Sequence, residues 1–137
     1  MLEQWMPTVY ARLEELAVQT QARNGSIGAF IEDKGSGTIL LQQSARRGWR
    51  AQALPESMVA AGKSGRAVSV SGYVFRGMLK LSRYAFDKVT TYKGTSRNHW
   101  LAQVTGFRIG AKDGAPDDLL DTMTYALAIV CGDIEGN

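Results

Sequence analysis

Two groups of carboxylates sit where a chain can present acids together. Glu32 and Asp33 follow a short apolar stretch and precede the turn Lys34-Gly35-Ser36-Gly37. A carboxylate at the C-terminal end of a buried strand faces the crevice in which α/β sheets bind ligands. The competing reading is an ordinary solvated strand end. Asp117, Asp118 and Asp121 form the second group. Acids in a first helical turn favour the macrodipole, and Asp117 suits an N-cap, so a structural role also accounts for them. Asp118 and Asp121 are spaced to share a helix face, where two carboxylates repel unless a cation lies between them. Two acid groups beside bases are the ingredients of metal-assisted phosphodiester hydrolysis. In that chemistry two divalent ions, roughly 4 Å apart, activate water and steady the leaving oxygen. Hard oxygen donors select Mg²⁺ or Mn²⁺ over zinc.

The bases are distributed just as unevenly. Between Arg46 and Arg108 the cations Arg46, Arg47, Arg50, Lys63, Arg66, Arg76, Lys80, Arg83, Lys88, Lys93, Arg97 and Arg108 face only Glu56 and Asp87. The acids collect toward the two ends. The formal charge of +3 is mild, but a basic middle flanked by acids suits a protein that grips phosphates and holds metal, with double-stranded DNA as partner. Other chemistries lack their parts. His99 is the sole histidine and Cys131 the sole cysteine. No zinc set, thiolate cluster or internal disulfide can be assembled from them. His99 is read as a surface or helix-packing residue and Cys131 as a buried thiol. Gly35-Ser36-Gly37 is too short for a nucleotide cradle. Glu3, Glu14 and Glu15 interrupt any signal-peptide core, and the longest apolar run, Ala126 to Cys131, is too short to span a bilayer. The expectation is a cytoplasmic protein with no membrane partner.

The elements that must position these residues can be read from periodicity. Trp5, Met6, Val9, Leu13, Leu16 and Ala17 recur at helical spacing over residues 2–21, and Asn24-Gly25 stops that helix. Ile27 to Glu32 reads as a buried strand. Thr38 can cap a helix running to Arg47, which Gly48 closes. Trp49 to Leu54 reads as a strand, Ser57 or Gly62 to Arg76 as a helix, and Met78 to Leu81 as a short strand. Asp87 to Ser96 is polar and reads as an exposed loop. Helices follow over Asn98 to Phe107 and Asp117 to Val130, with a turn at Lys112 to Pro116. Alternation of this kind predicts an α/β fold with helices on the faces of a small sheet. With 137 residues the chain suits a single domain over 1–137, comprising an N-terminal helix over 1–22, a core over 23–131 and a tail over 132–137.

In this order the motifs resemble the nuclease domain of the terminase large subunit of tailed phages and prophages. Ile31-Glu32-Asp33-Lys34-Gly35-Ser36-Gly37-Thr38 is similar to the family's acid-Asp-Lys-small-Ser-Gly-Thr motif. Gly62-Lys63-Ser64-Gly65-Arg66-Ala67 is similar to its Lys-x-x-Arg-Ala segment, followed by Phe75-Arg76-Gly77-Met78-Leu79-Lys80. Trp100 to Phe107 resembles the helix before the last motif, and Asp117-Asp118-Leu119-Leu120-Asp121-Thr122-Met123 resembles the closing Asp-Asp-x-x-Asp helix. The resemblance covers about Met1 to Val130. It implies a ribonuclease H-like fold and a metal-dependent endonuclease that cuts concatemeric viral DNA during packaging, in the host cytoplasm. Glu32 then stands as a catalytic metal ligand and Asp117 or Asp118 as the last one, with Asp121 beside them. Lys63 and Arg66 become phosphate-facing or structural bases, joined by Lys34 and Arg76 as candidate DNA contacts.

In that family the first ligand aspartate and three strands precede the helix matched by residues 2–21, and an ATPase motor precedes the nuclease. The expectation is therefore an incomplete sheet and an active site completed from elsewhere. The exposed edge should pair with the missing strands or with a second copy of the chain. The ATPase domain, portal and small terminase subunit are the implied partners. Two other readings compete: a non-catalytic DNA-binding or assembly module that keeps the fold, and a small α/β protein whose acids serve only as caps.

Overall fold

The computed structural model describes residues 7, 8, 11, 12, 14–16, 18, 28–110 and 116–132. The chain divides into two compact units, Met1–Val59 and Ala60–Asn137. Within the first, every described residue between Pro7 and Val18 is helical. Trp5, Met6, Val9, Leu13 and Ala17 of the expected apolar stripe lie outside the described residues, as do the Asn24-Gly25 stop, most of the turn over Lys112 to Pro116 and all but Gly132 of the tail.

The first unit contains a βαβ segment. Strand β1 (Ala29–Ile31) leads into helix α1 (Ser36–Arg47), which returns the chain to strand β2 (Ala51–Ala53). The strands pair in parallel, Ala29 opposite Ala51 and Ile31 opposite Ala53, and the Leu54 amide extends the pairing to the Ile31 carbonyl at 2.9 Å. Parallel strands need a crossover, and a helix supplies it. Gly37, Leu40 and Ser44 are the buried positions of α1, spaced three and four apart so that one stripe faces the strands. Ser44 satisfies its buried hydroxyl by donating to the Leu40 carbonyl at 2.7 Å. Gly48 ends α1 in the left-handed conformation, as its position predicted.

In the second unit, helix α2 (Glu56–Ala60) crosses the boundary and helix α3 (Gly62–Phe75) follows. Helix α4 (Arg83–Asp87), a hairpin of β3 (Thr90–Tyr92) and β4 (Thr95–Arg97), helix α5 (His99–Gly106) and helix α6 (Asp118–Cys131) complete it. Helix α6 packs against both α3 and α5. Its buried residues Leu120, Thr124 and Leu127 make one stripe, and Val70 of α3 is only 2% exposed. This is a small apolar core for so many helices.

The architecture is thus mixed α/β, and two expectations need correcting. Met78 to Leu81 is not a strand. It has no pairing partner, and the Met78 amide instead closes the end of α3 by donating to the Tyr73 carbonyl at 3.0 Å. The loop expected over Asp87 to Ser96 contains the antiparallel hairpin, in which Thr91 and Ser96 join hydroxyls across the strands at 2.6 Å. Its tip is Lys93-Gly94, both at positive φ, the backbone that a tight two-residue hairpin requires. Among the described residues, no helix is long and apolar enough to cross a membrane.

Gly37 fixes how closely α1 approaches β1. A Cβ at this position would overlap the Glu32 carbonyl oxygen, which is backbone and cannot swing aside. Gly37→Ala is expected to destabilise the first unit by about 2–3 kcal/mol despite the better helix propensity of alanine. A urea midpoint equal to that of the unaltered protein would show the approach to be slack.

Candidate nucleic-acid interface

The two acid groups fall in different units. Glu32 and Asp33 occupy the turn between β1 and α1, and both are exposed, as is Lys34. The Lys34 amide donates to the Glu32 carbonyl at 2.8 Å, and Thr38 Oγ1 donates to Asp33 Oδ1 at 2.6 Å. Thr38 therefore does not cap α1, which begins two residues earlier. Its hydroxyl holds Asp33, while the Glu32 side chain stands at the C-terminal end of a parallel strand.

In the second unit the predicted bases and acids meet each other. Lys63, in the first turn of α3, forms an ion pair with Asp117. One turn further, Arg66 Nη2 donates to Asp121 Oδ1 at 2.8 Å, and its guanidinium lies over the Tyr125 ring at 4.1 Å from the centroid. Arg66 is 6% exposed. Asp121 is thus paired with a protein guanidinium. Asp118 is exposed, its carbonyl accepting from Thr122 Oγ1 at 2.9 Å. Arg76 folds back on its own helix, with Nε donating to the Gly72 carbonyl at 3.3 Å and the guanidinium over Tyr73.

Asp117 occupies the N-cap position of α6 but its carboxylate makes no cap hydrogen bond. Gln103 of α5 does that work: its Oε1 accepts from the Leu119 and Leu120 amides at 2.8 and 3.2 Å. The cap thus comes from another helix, while the Asp117 carboxylate engages Lys63. These ion pairs bear on the implied metal. Among the described residues no group of three or more His, Cys, Asp or Glu could hold an ion. Asp121 would first have to leave a buried guanidinium, so the acids as arranged do not fit a metal set.

The arrangement does build a basic cleft. A recess of about 240 Å³ is lined by Lys63, Lys93, Arg97 and Arg108, with Asp117 the one carboxylate among the described lining residues. Among the described residues these four positive groups face one acid, and no acid pairs with Lys93, Arg97 or Arg108. Tyr92, His99 and Phe107 supply aromatic wall. The segments that carry these cations are held by identifiable contacts. The hairpin carries Lys93 and Arg97. The Gly110 amide donates to Ser64 Oγ at 3.2 Å, tying the segment that bears Arg108 to α3.

His99 locks the hairpin to α5. Its Nε2 lies 3.0 Å from the Thr90 carbonyl and 3.0 Å from the Thr95 carbonyl, so that nitrogen carries the hydrogen and donates to both. Its Nδ1 accepts from Arg97 Nε at 3.4 Å, and the Tyr92 ring stands edge-on to the imidazole at 5.9 Å. These contacts give His99 a structural role. Lys93, Arg97 and Arg108 belonged to the basic middle of the sequence, but nothing in their spacing marked them as one site. Gln103 carried no signal at all.

No protein-family model matches the chain, and neither a curated protein nor a solved structure matches it significantly. The cap and the ion pair can be separated by mutation. Gln103→Ala is expected to cost about 1 kcal/mol of stability by uncapping α6. Asp117→Ala should cost only about 0.5 kcal/mol, because Lys63 is well exposed and its ion pair is screened. Denaturant titrations that reverse this order would return the capping role to Asp117.

Proposed function

We propose that the chain is a DNA-binding module related to the terminase large-subunit nuclease domain, gripping phosphate through the basic cleft of its second unit. The observation that carries this reading is the cleft itself, where Lys63, Lys93, Arg97 and Arg108 converge around one paired carboxylate. Such an excess attracts a polyanion and releases its counterions. The order of the motifs from Glu32 to Met123 supports the ribonuclease H-like affiliation, and with it an ATPase domain, a portal or a small terminase subunit as partners.

A second reading, the metal-dependent endonuclease segment with Mg²⁺ or Mn²⁺, rests on one specific observation. Glu32 and Asp33 stand at the C-terminal end of β1 in a parallel βαβ segment, the end where α/β sheets bind ligands.

Fluorescence anisotropy with a labelled duplex tests the first reading. Affinity should fall steeply with salt, be indifferent to sequence and survive chelator. Lys93→Ala and Arg108→Ala should each weaken binding and reduce the salt slope by about 1. Binding that ignores both salt and these substitutions would refute it. Calorimetric titration with Mn²⁺ tests the second: heat that disappears in Glu32→Ala supports a ligand role for Glu32, and no heat from the unaltered chain removes that reading.

A further inference from the structure

The cleft has features that a surface for duplex backbone does not need. We infer that it receives the terminal phosphomonoester of a DNA strand in preference to an internal phosphodiester; the inference rests on the DNA-binding reading and specifies what that site holds. Shape is the first argument. The phosphates of a duplex run along a convex ridge and are gripped by open or protruding surfaces. Here the cations line a recess of about 240 Å³ bounded by the hairpin, α5 and the starts of α3 and α6. A strand end can enter such a recess, whereas an internal phosphate must bring chain in from both sides.

Charge is the second argument. A phosphomonoester carries roughly −1.5 to −2 near neutral pH and offers three terminal oxygens, against about −1 and two for an internal diester. Cations with no acid partner among the described residues favour the more highly charged group. Preorganisation is the third. Arg97 is held at Nε by His99 Nδ1, and His99 is itself held by the Thr90 and Thr95 carbonyls. That chain of contacts orients the guanidinium through Nε, its two terminal amino groups remaining for a ligand in the cleft it lines. A fixed fork of donors matches phosphate oxygens and loses little freedom on binding. Tyr92 and Phe107 on the same wall offer aromatic surface to the last base.

The test uses the full chain and one oligonucleotide sequence prepared with a 5′-phosphate, with a 3′-phosphate or with hydroxyls at both ends, alongside closed circular DNA, which has no ends. At least one phosphorylated form should bind roughly tenfold tighter than the hydroxyl form, and which of the two does so identifies the end recognised. Inorganic phosphate should erase that preference at concentrations that leave binding of circular DNA intact. Arg97→Gln and Arg108→Ala should each remove the preference, with folding checked by circular dichroism; Arg108 is exposed, so that variant reports even if Arg97→Gln disturbs the hairpin. Lys80→Ala should keep it. Equal affinity for all three oligonucleotides, with circular DNA still bound, would overturn the inference and leave the DNA-binding reading standing. No binding of oligonucleotide or circular DNA would overturn both.

Discussion

The second unit depends on the placement of one buried cation. Arg66 projects from α3 into the seam with α6, where Asp121 takes its charge and Tyr125 covers its face. A guanidinium out of water is tolerable only with such partners, and removing either would leave a buried charge poorly compensated. The contact therefore fixes both the register and the rotation of α3 against α6. Val70, one turn beyond Arg66, is delivered into the core with Leu120, Thr124 and Leu127. Lys63, one turn before Arg66, is delivered to Asp117 at the opposite end of the same seam. One helix face thus carries the core at its middle and the floor of the cleft at its start.

The facing wall is built by a different device. A hairpin of two three-residue strands is marginal alone, and this one is exposed along its length. It is held by the residues that begin α5. Asn98 caps that helix through Oδ1 to the Leu101 amide, while its Nδ2 donates to the Ala85 and Phe86 carbonyls of α4. His99 grips both hairpin strands through one nitrogen. Further along the same helix Gln103 caps α6. Three side chains of one short helix therefore join α4, the hairpin and α6, and the cleft lies where those attachments meet.

Elements defined by local signals were legible in the sequence. The helix ending at Gly48 and the helix opening at Asn98 each carried a boundary residue whose physical reason operated in the folded chain. The weak alternation over Trp49 to Leu54 pointed correctly to β2. The hairpin was not legible, because Thr90-Thr91-Tyr92 was outweighed by its polar neighbours and Lys93-Gly94 lacks the asparagine or aspartate that usually announces such a turn. Met78 to Leu81 erred in the opposite direction, being apolar enough for a strand but with nothing to pair against. At the site, residue types were readable and partnerships were not. Arg66 and Asp121 are 55 positions apart, and periodicity carries no information about which base will meet which acid at that separation.

Those partnerships decide how the acid group can be used. Asp118, Asp121 and Asp117 look equivalent in sequence, yet they differ sharply in the cost of recruitment. Freeing Asp121 would break the ion pair of a guanidinium that is 6% exposed, which is costly for a buried charge. Freeing Asp117 releases only Lys63, whose side chain is 44% exposed and readily rehydrated. Asp118 needs no release. A cation reaching this end of α6 therefore meets two acids that are released at little cost and one that is committed to structure. The same division governs the bases: Arg66 is buried and committed, whereas the Lys63 side chain is half-exposed beside Asp117. The cleft and the α3–α6 seam thus draw on separate ion pairs one helical turn apart, Lys63 with Asp117 and Arg66 with Asp121.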